Sequence, residues 1–308
     1  MTLPVYTHSA CLAHDTGPDH AERPQRLGAV IDALRTAFDD LDWREAPRAT
    51  RGQLLRVHDA ALLEAVLETR SGQRIALDPD TVLSPASAEA ALRAAGAAVA
   101  AVDAVLAGTT KTAFCAVRPP GHHATAGAAM GFCLFNNVAV AAAHALDKHG
   151  MARVAVVDFD VHHGNGTQAI FEAEPRVQYF SSHQMPLYPD TGHAHERGVG
   201  NIFNAPLPPG TGSRGFRAAW SGHLLPAIDA FRPQLLLLSA GFDAHWRDPL
   251  AQLQLDATDF AWITGELGLL AERHAQGRIV SMLEGGYDLQ ALRESSVAHV
   301  EALGVGAS

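Results

Sequence analysis

The chain has 308 residues, with 23 Lys and Arg against 33 Asp and Glu, a net charge of −10 when histidine is neutral. Its 47% hydrophobic and 18% charged content excludes a disordered polyelectrolyte. The absence of a basic surplus argues against nucleic acid as a direct partner, while an acidic surface still attracts a cationic substrate.

Along the chain, Met1–Asp15 has neither the basic nor the apolar region of a signal peptide. The most apolar long stretch, Pro85–Gly108, is interrupted by Glu89, Arg93 and Asp103, so no membrane span is expected. Cys11, Cys115 and Cys133 are an odd count without CxxC spacing; two of them sit in apolar surroundings and read as buried thiols, and a cytoplasmic, reduced protein is expected. No linker, repeat or charge block divides the sequence, and one domain over residues 1–308 is expected. Apolar runs predict buried parallel strands at Thr112–Val117, Arg153–Phe159, Val177–Ser181, Leu235–Ala240 and Arg278–Leu283. Helical patterns alternate with them at Pro85–Leu106, Phe132–Lys148, Ser213–Phe231 and Ala257–His274, with Ser84 or Ser87 and Asp256 as expected caps. Strand and helix in alternation predict an α/β domain with a parallel central sheet flanked by helices.

Four of these strands run into polar, glycine-flanked clusters: Arg118–His123, Asp158–Gly166, Gly241–Asp243 and Glu284–Tyr287. Carboxyl ends of strands are where open α/β sheets build their sites. Asp158, Asp160 and His162 alternate, so an extended segment projects all three to one face. Asp160 and His162 are expected to share a metal ion, with Asp243 as third ligand from a neighbouring strand end. Two carboxylates and one imidazole leave an open position for water, the catalytic pattern. Turn-capping acids are the plain alternative, but a buried acid pair without compensation is costly. Zn2+ is the expected ion, and Fe2+ or Co2+ also suits such a set. The metal would polarise a carbonyl and acidify water.

The pair His122–His123 follows a Pro-Pro-Gly turn and is poor core material. Each ring needs an orienting partner; Asp158 is expected to hold one and Asn165 the other. Tyr287 follows two glycines that free the backbone to bring a phenol into the site as an oxyanion stabiliser.

With RPPGHHA at 118–124, GFCLFNN at 131–137, DFDVHHGNGTQ at 158–168, SAGFDAH at 239–245, DPL at 248–250 and EGGYDL at 284–289, the chain resembles the zinc-dependent histone deacetylase superfamily. That superfamily includes bacterial histone-deacetylase-like and acetylpolyamine amidohydrolases. The resemblance runs from about His14 to about Ser296, and Asn165 and Glu284 look like its class II branch. It implies a single arginase-like domain, zinc on Asp160, His162 and Asp243, His123 as general base and acid, His122 as its electrostatic partner, and Tyr287 as carbonyl clamp. It pairs His122 with Asp158 and His123 with Asn165. Gly131 and Phe132 would line an acyl-lysine tunnel, Tyr188 would stand where many relatives carry a second phenylalanine, Leu250 would sit at the rim, and Arg26 would lie beneath the metal site. The family also binds structural K+ or Na+. Matching positions are Asp158, Asp160, His162, Ser181 and Ser182, with a second such site near Phe171 and Val177.

Two rivals stay open. A binuclear ureohydrolase needs more carboxylates than this cluster offers, Asp158 being the one spare. A non-catalytic acetyl-lysine reader would need neither base nor phenol. Within the enzyme reading, the substrate is an acetylated lysine peptide or protein, an acetylpolyamine or another small acetylated amine, and self-association of the chain is left open. A short Ser71–Leu83 segment and an uncharged Leu250 point to acetyl-lysine peptides over polyamines, although Asp78 and Asp80 in that segment could meet a cation.

Overall fold

The computed structural model describes residues 2–68 and 72–304. Among the described residues, ten strands form two sheets. They are β1 (Pro4–Thr7), β2 (Asp42–Glu45), the hairpin β3 (Ile75–Ala76) and β4 (Val82–Leu83), β5 (Thr112–Cys115), β6 (Val154–Asp158), β7 (Val177–Gln184), β8 (Ile202–Leu207), β9 (Leu235–Ala240) and β10 (Ile279–Leu283). Eight of them make one sheet in the order β2-β1-β5-β10-β9-β6-β7-β8, with every pairing parallel. This is the α/β architecture expected, with helices flanking a parallel sheet.

The central strands are buried on both faces, which is why they read as unbroken apolar runs. Leu235, Leu236, Leu237 and Leu238 of β9 are all buried. Truncating one of them to alanine would cost about 2–5 kcal/mol through lost contact and the cavity left behind. The five predicted strands are all present, three of them a residue or two shorter and β7 longer. The strand β1, the edge strands β2 and β8 and the short hairpin were not legible, because four- and two-residue strands and a half-exposed edge carry too weak a pattern.

Three helix expectations are corrected. The helix predicted from Phe132 starts at Asn137. Gly131 and Phe132 adopt left-handed φ of 56° and 67°, which a helix cannot contain, and Asn136 caps Ala139 N–H at 3.0 Å. Ser213–Phe231 is not one helix; a π-helical turn, Trp220–Leu224, separates Ser213–Ala219 from Leu225–Phe231. Pro226 has no N–H to continue the regular ladder there. Neither Ser84 nor Ser87 caps the helix Ser87–Leu106, which starts on Ala86 without a side-chain cap. Ser87 Oγ instead accepts from Ser84 N–H at 2.7 Å. Asp256 does cap Ala257–His274, with Asp259 completing a capping box.

Adjacent strands β5, β10, β9 and β6 carry the four polar clusters. Their carboxyl ends therefore open onto one edge, and everything below is built there.

Candidate active site

β6 ends at Asp158, and the chain then turns through Asp160 and His162 while β9, its neighbour, delivers Asp243. His162 Nδ1 lies 3.1 Å from Asp160 Oδ1 and 3.1 Å from Asp243 Oδ2. Ligating atoms of the three buried side chains lie within 4.8 Å of one another. The carboxylates are aimed by backbone donors. Gly285 N–H donates to Asp160 Oδ2 at 2.8 Å and Val161 N–H to Asp243 Oδ1 at 2.9 Å. At Gly285 a Cβ would stand 2.0 Å from Asp243 Oδ2, so only glycine permits this approach.

Among the described residues, the ion pairs of Asp160 and Asp243 are with histidines alone. Burial, and then the charge of Asp160, push the Asp243 carboxyl upward. A buried acid pair partnered by imidazole, with no arginine or lysine ion pair, suits a divalent ion in both charge and donor type. Asp158 is spent elsewhere: Oδ2 accepts from His122 Nδ1 and from Tyr179 Oη, each at 3.0 Å.

The two neighbouring histidines stand in opposite environments. His122 is buried, which favours its neutral form, yet Asp158 and Asp160 outweigh burial and hold it well above the ordinary histidine range. His123 Nδ1 donates to Asn165 Oδ1 at 2.8 Å, which leaves its Nε2 as a lone-pair acceptor. Burial first, then His122 and His162, push His123 well below the ordinary range. Behind the pair, Glu284 Oε2 accepts from Gly121 N–H at 2.6 Å and His122 N–H at 3.2 Å, and Ser239 Oγ donates to Oε1 at 3.0 Å. Burial pushes Glu284 up to about 7.

A cavity of about 220 Å³ leads down to these groups. Its lining includes the buried His123, His162, Gly131 and Tyr287, the half-buried Phe132, Leu187 and Asp80, and the exposed Tyr188 and Leu250. Gly131, at φ 56°, would put a Cβ 2.5 Å from the His123 ring. Phe132 meets Tyr287 edge-on at 5.8 Å, and Tyr188 meets His123 at 5.2 Å. Arg26 lies beneath, its guanidinium 4.9 Å from the Tyr287 ring centre, donating to Gly286 O at 2.5 Å and Glu284 O at 2.6 Å.

The structure thus brings together the expected Asp160, His162 and Asp243, the partners His122–Asp158 and His123–Asn165, and the cavity residues Gly131, Phe132, Tyr188, Leu250 and Tyr287. Ser181 and Ser182 are buried in β7, beside β6. Ser181 Oγ bonds His183 Nδ1 at 2.9 Å, and Ser182 Oγ accepts from Trp220 Nε1 at 3.0 Å. Phe171 and Val177 are joined through Asn201, whose amide donates to both carbonyls at 2.7 and 2.9 Å. Part of the Ser71–Leu83 segment, at Ser71, lies outside the described residues, as do residues 305–308.

Sequence reasoning missed three groups. Tyr179 supports Asp158; its position beside Val156 in the β6–β7 register was the available signal. Asp248 accepts from Tyr287 N–H at 2.8 Å and Leu250 N–H at 2.9 Å, tying the phenol's main chain to the rim. Glu22, bonded by Arg118 and Arg26, is the third; Arg26 stands at i+4 from it, but no local pattern pairs it with Arg118, 96 residues away.

A histone deacetylase domain matches residues 20–303. The chain is 41% identical over 313 residues to the histone deacetylase-like amidohydrolase of Pseudomonas aeruginosa, covering 98% of this chain and 81% of that protein. It is 38% identical to a probable deacetylase of Archaeoglobus fulgidus, covering 94% of this chain and 82% of the relative. It is 41% identical to the human polyamine deacetylase HDAC10, covering 92% of this chain and 44% of that protein. The crystal structure of the HDA15 HD domain superposes with a TM-score of 0.93 at 36% identity, covering 98% of this chain and 89% of that one.

Proposed function

The chain belongs to the histone deacetylase family, whose relatives named above are deacetylases and an amidohydrolase, and we propose that it is a zinc-dependent deacetylase removing acetyl or related acyl groups from lysine-like amines. The observation that carries this reading is the cluster of Asp160, His162 and Asp243, whose His162 lines one cavity together with His123 and Tyr287. Zinc held by Asp160, His162 and Asp243 would polarise the acyl carbonyl and acidify a water molecule; Fe2+ or Co2+ would do the same chemistry.

In this reading the protein's own groups do the rest. His123, its Nδ1 proton fixed by Asn165, takes a proton from the attacking water at Nε2 and returns it to the leaving amine. His122, held charged by Asp158, keeps His123 from becoming too basic and favours negative charge in the transition state. Tyr287 Oη donates to the developing oxyanion. Phe132 and Tyr188 pass an unbranched alkyl chain while limiting water, and the Tyr188 hydroxyl alters which acyl chains are accepted. We read Asp158, Asp160, His162, Ser181 and Ser182 as a structural K+ or Na+ site, supported by their common burial at the β6–β7 edge, with a second near Phe171 and Val177. Three buried, unpaired cysteines suit a reducing cytoplasm, and no described helix is long and apolar enough to cross a membrane.

For the substrate, uncharged Leu250 and Leu187 in the cavity lining favour acetyl-lysine in a peptide or protein. A second reading, an acetylpolyamine deacetylase, is favoured by Asp80 in the same lining, with Asp78 bonded to its N–H at 3.0 Å, and by the likeness to a polyamine deacetylase. Parallel kcat/KM measurements on an acetyl-lysine peptide and N-acetylputrescine decide between them. A peptide preference supports the first reading, a tenfold polyamine preference the second, and turnover of neither sinks the deacetylase proposal.

A further inference from the structure

A second convergence of ligating side chains lies well outside the cavity, at the surface end of the helix pair Ser87–Leu106 and Asn137–Lys148. Asp103 sits in the last turn of the first helix, His144 near the end of the second, and His149 on the residue that terminates it. Both imidazole Nε2 atoms lie 2.7 Å from the same oxygen, Asp103 Oδ1. The rings meet edge to face at 5.3 Å. Their three ligating atoms lie within 4.8 Å of one another, as those of the catalytic cluster do, and among the described residues only these two groups are so arranged. The His144 side chain is 5% exposed, His149 24% and Asp103 51%, so the cluster is anchored in the helix seam but opens to water on one side.

We infer that Asp103, His144 and His149 form a second binding site for a divalent transition metal, of the zinc, nickel or copper class. Two imidazoles and one carboxylate are a softer set than the one imidazole and two carboxylates of the catalytic cluster, and they favour these ions over magnesium or calcium. Metal–nitrogen and metal–oxygen bonds of about 2.0–2.1 Å put the ligand atoms of a tetrahedral ion roughly 3.3 Å apart. Each 2.7 Å imidazole–carboxylate distance would then open by roughly 0.6 Å, within the reach of side-chain rotation, and the exposed side leaves room for water as a further ligand.

Arg56 opposes the ion and sets its affinity. Arg56 Nη1 lies 3.3 Å from His144 Nδ1. A guanidinium donating there keeps the ring proton on Nε2, the atom that must face the metal. Binding moves that proton to Nδ1 and retracts the guanidinium onto Asp147, whose Oδ2 already accepts from Arg56 Nε and Nη2, each at 2.8 Å.

The test starts from the protein as purified, its resident metal counted first by elemental analysis, then titrated calorimetrically with Zn2+ or Ni2+ alone. One additional equivalent should bind. His149→Ala should lose it or bind it at least ~10-fold more weakly, since even outer-shell partners of metal ligands contribute 10–100-fold, while deacetylase turnover stays unchanged. Arg56→Gln should tighten it by roughly tenfold. Asp243→Ala, which removes a catalytic ligand, should keep the surface equivalent, so failure of this site is distinguishable from failure of the catalytic proposal. Equal uptake by wild type and His149→Ala would overturn the inference, as would no added uptake in both wild type and Arg56→Gln.

Discussion

Two buried charge clusters lie on either side of Tyr287, and they are balanced in opposite ways. Beneath the phenol, Glu22 is enclosed by guanidinium groups: Arg118 pairs with it through Nε and, at 2.5 Å, Nη2, and Arg26 Nη1 donates to it at 2.9 Å. Other donors of the two guanidinium groups reach carbonyls of Cys11, His14, Glu284 and Gly286. Although burial raises its carboxyl, Arg118 and Arg26 outweigh burial and hold Glu22 down to about 2. Above the phenol, Asp158 is matched by His122, but Asp160 and Asp243 have only histidine partners. The lower cluster is closed by two arginines; the upper one contains, among the described residues, no arginine or lysine ion pair and relies on imidazoles alone. The contrast teaches that burial of acids alone does not mark a metal site. Acids whose partners are metal-ligating imidazoles, with no arginine or lysine to close them, do.

The largest expected effects test that contrast. Asp160→Ala, His162→Ala and Asp243→Ala should each lose bound metal and deacetylase turnover together, read by elemental analysis and a fluorogenic acetyl-lysine amide. Loss of turnover with full metal retained would separate these residues from the metal. In the lower cluster the same kind of change should act on stability instead. Glu22→Gln leaves two buried guanidinium groups underpaired and should cost about 3–5 kcal/mol in denaturant unfolding; a cost below about 1 kcal/mol would show that the cluster relaxes. Because the folded value near 2 lies below the unfolded carboxylate value, Glu22's contribution is present above about pH 4.3 and is lost as pH falls toward 2.

Tyr287 lies between the clusters, and Tyr287→Phe should mainly lower kcat, by about 10²–10³, because the phenol bonds a developing oxyanion more strongly than a ground-state carbonyl. A variant within twofold of wild type would remove the phenol from the mechanism. A smaller effect is expected from the His123 partner. Asn165 cannot stabilise imidazolium by charge, whereas a carboxylate in its place would raise the His123 pKa. His123 would then stay protonated to higher pH, so Asn165→Asp should shift the acidic limb of kcat/KM upward. An unmoved limb with activity retained would contradict the pairing.

The two clusters also differ in how far they could be read from sequence. The upper one was legible because its ligands fall in short motifs at strand ends, and Gly285 and Gly131 stand where a Cβ would collide with a site side chain; the expected extended segment is corrected, since β6 stops at Asp158 and the chain turns through Asp160 and His162. The lower one rests on contacts between Glu22 and Arg118 that no local periodicity encodes. The same limit hid Tyr179 and Asp248, which act through distant partners. The sheet was legible at its centre, where strands are apolar throughout, and not at β2 or β8, where half-exposed residues dilute the pattern.

The most direct test removes the metal and puts it back. The wild-type protein, stripped with a chelator, is assayed on an acetyl-lysine peptide before and after addition of one equivalent of Zn2+ or Co2+ per chain. The expected result is no turnover in the stripped protein and recovery on reloading, with Asp243→Ala unable to recover. Full activity in a preparation shown to be metal-free would contradict the account.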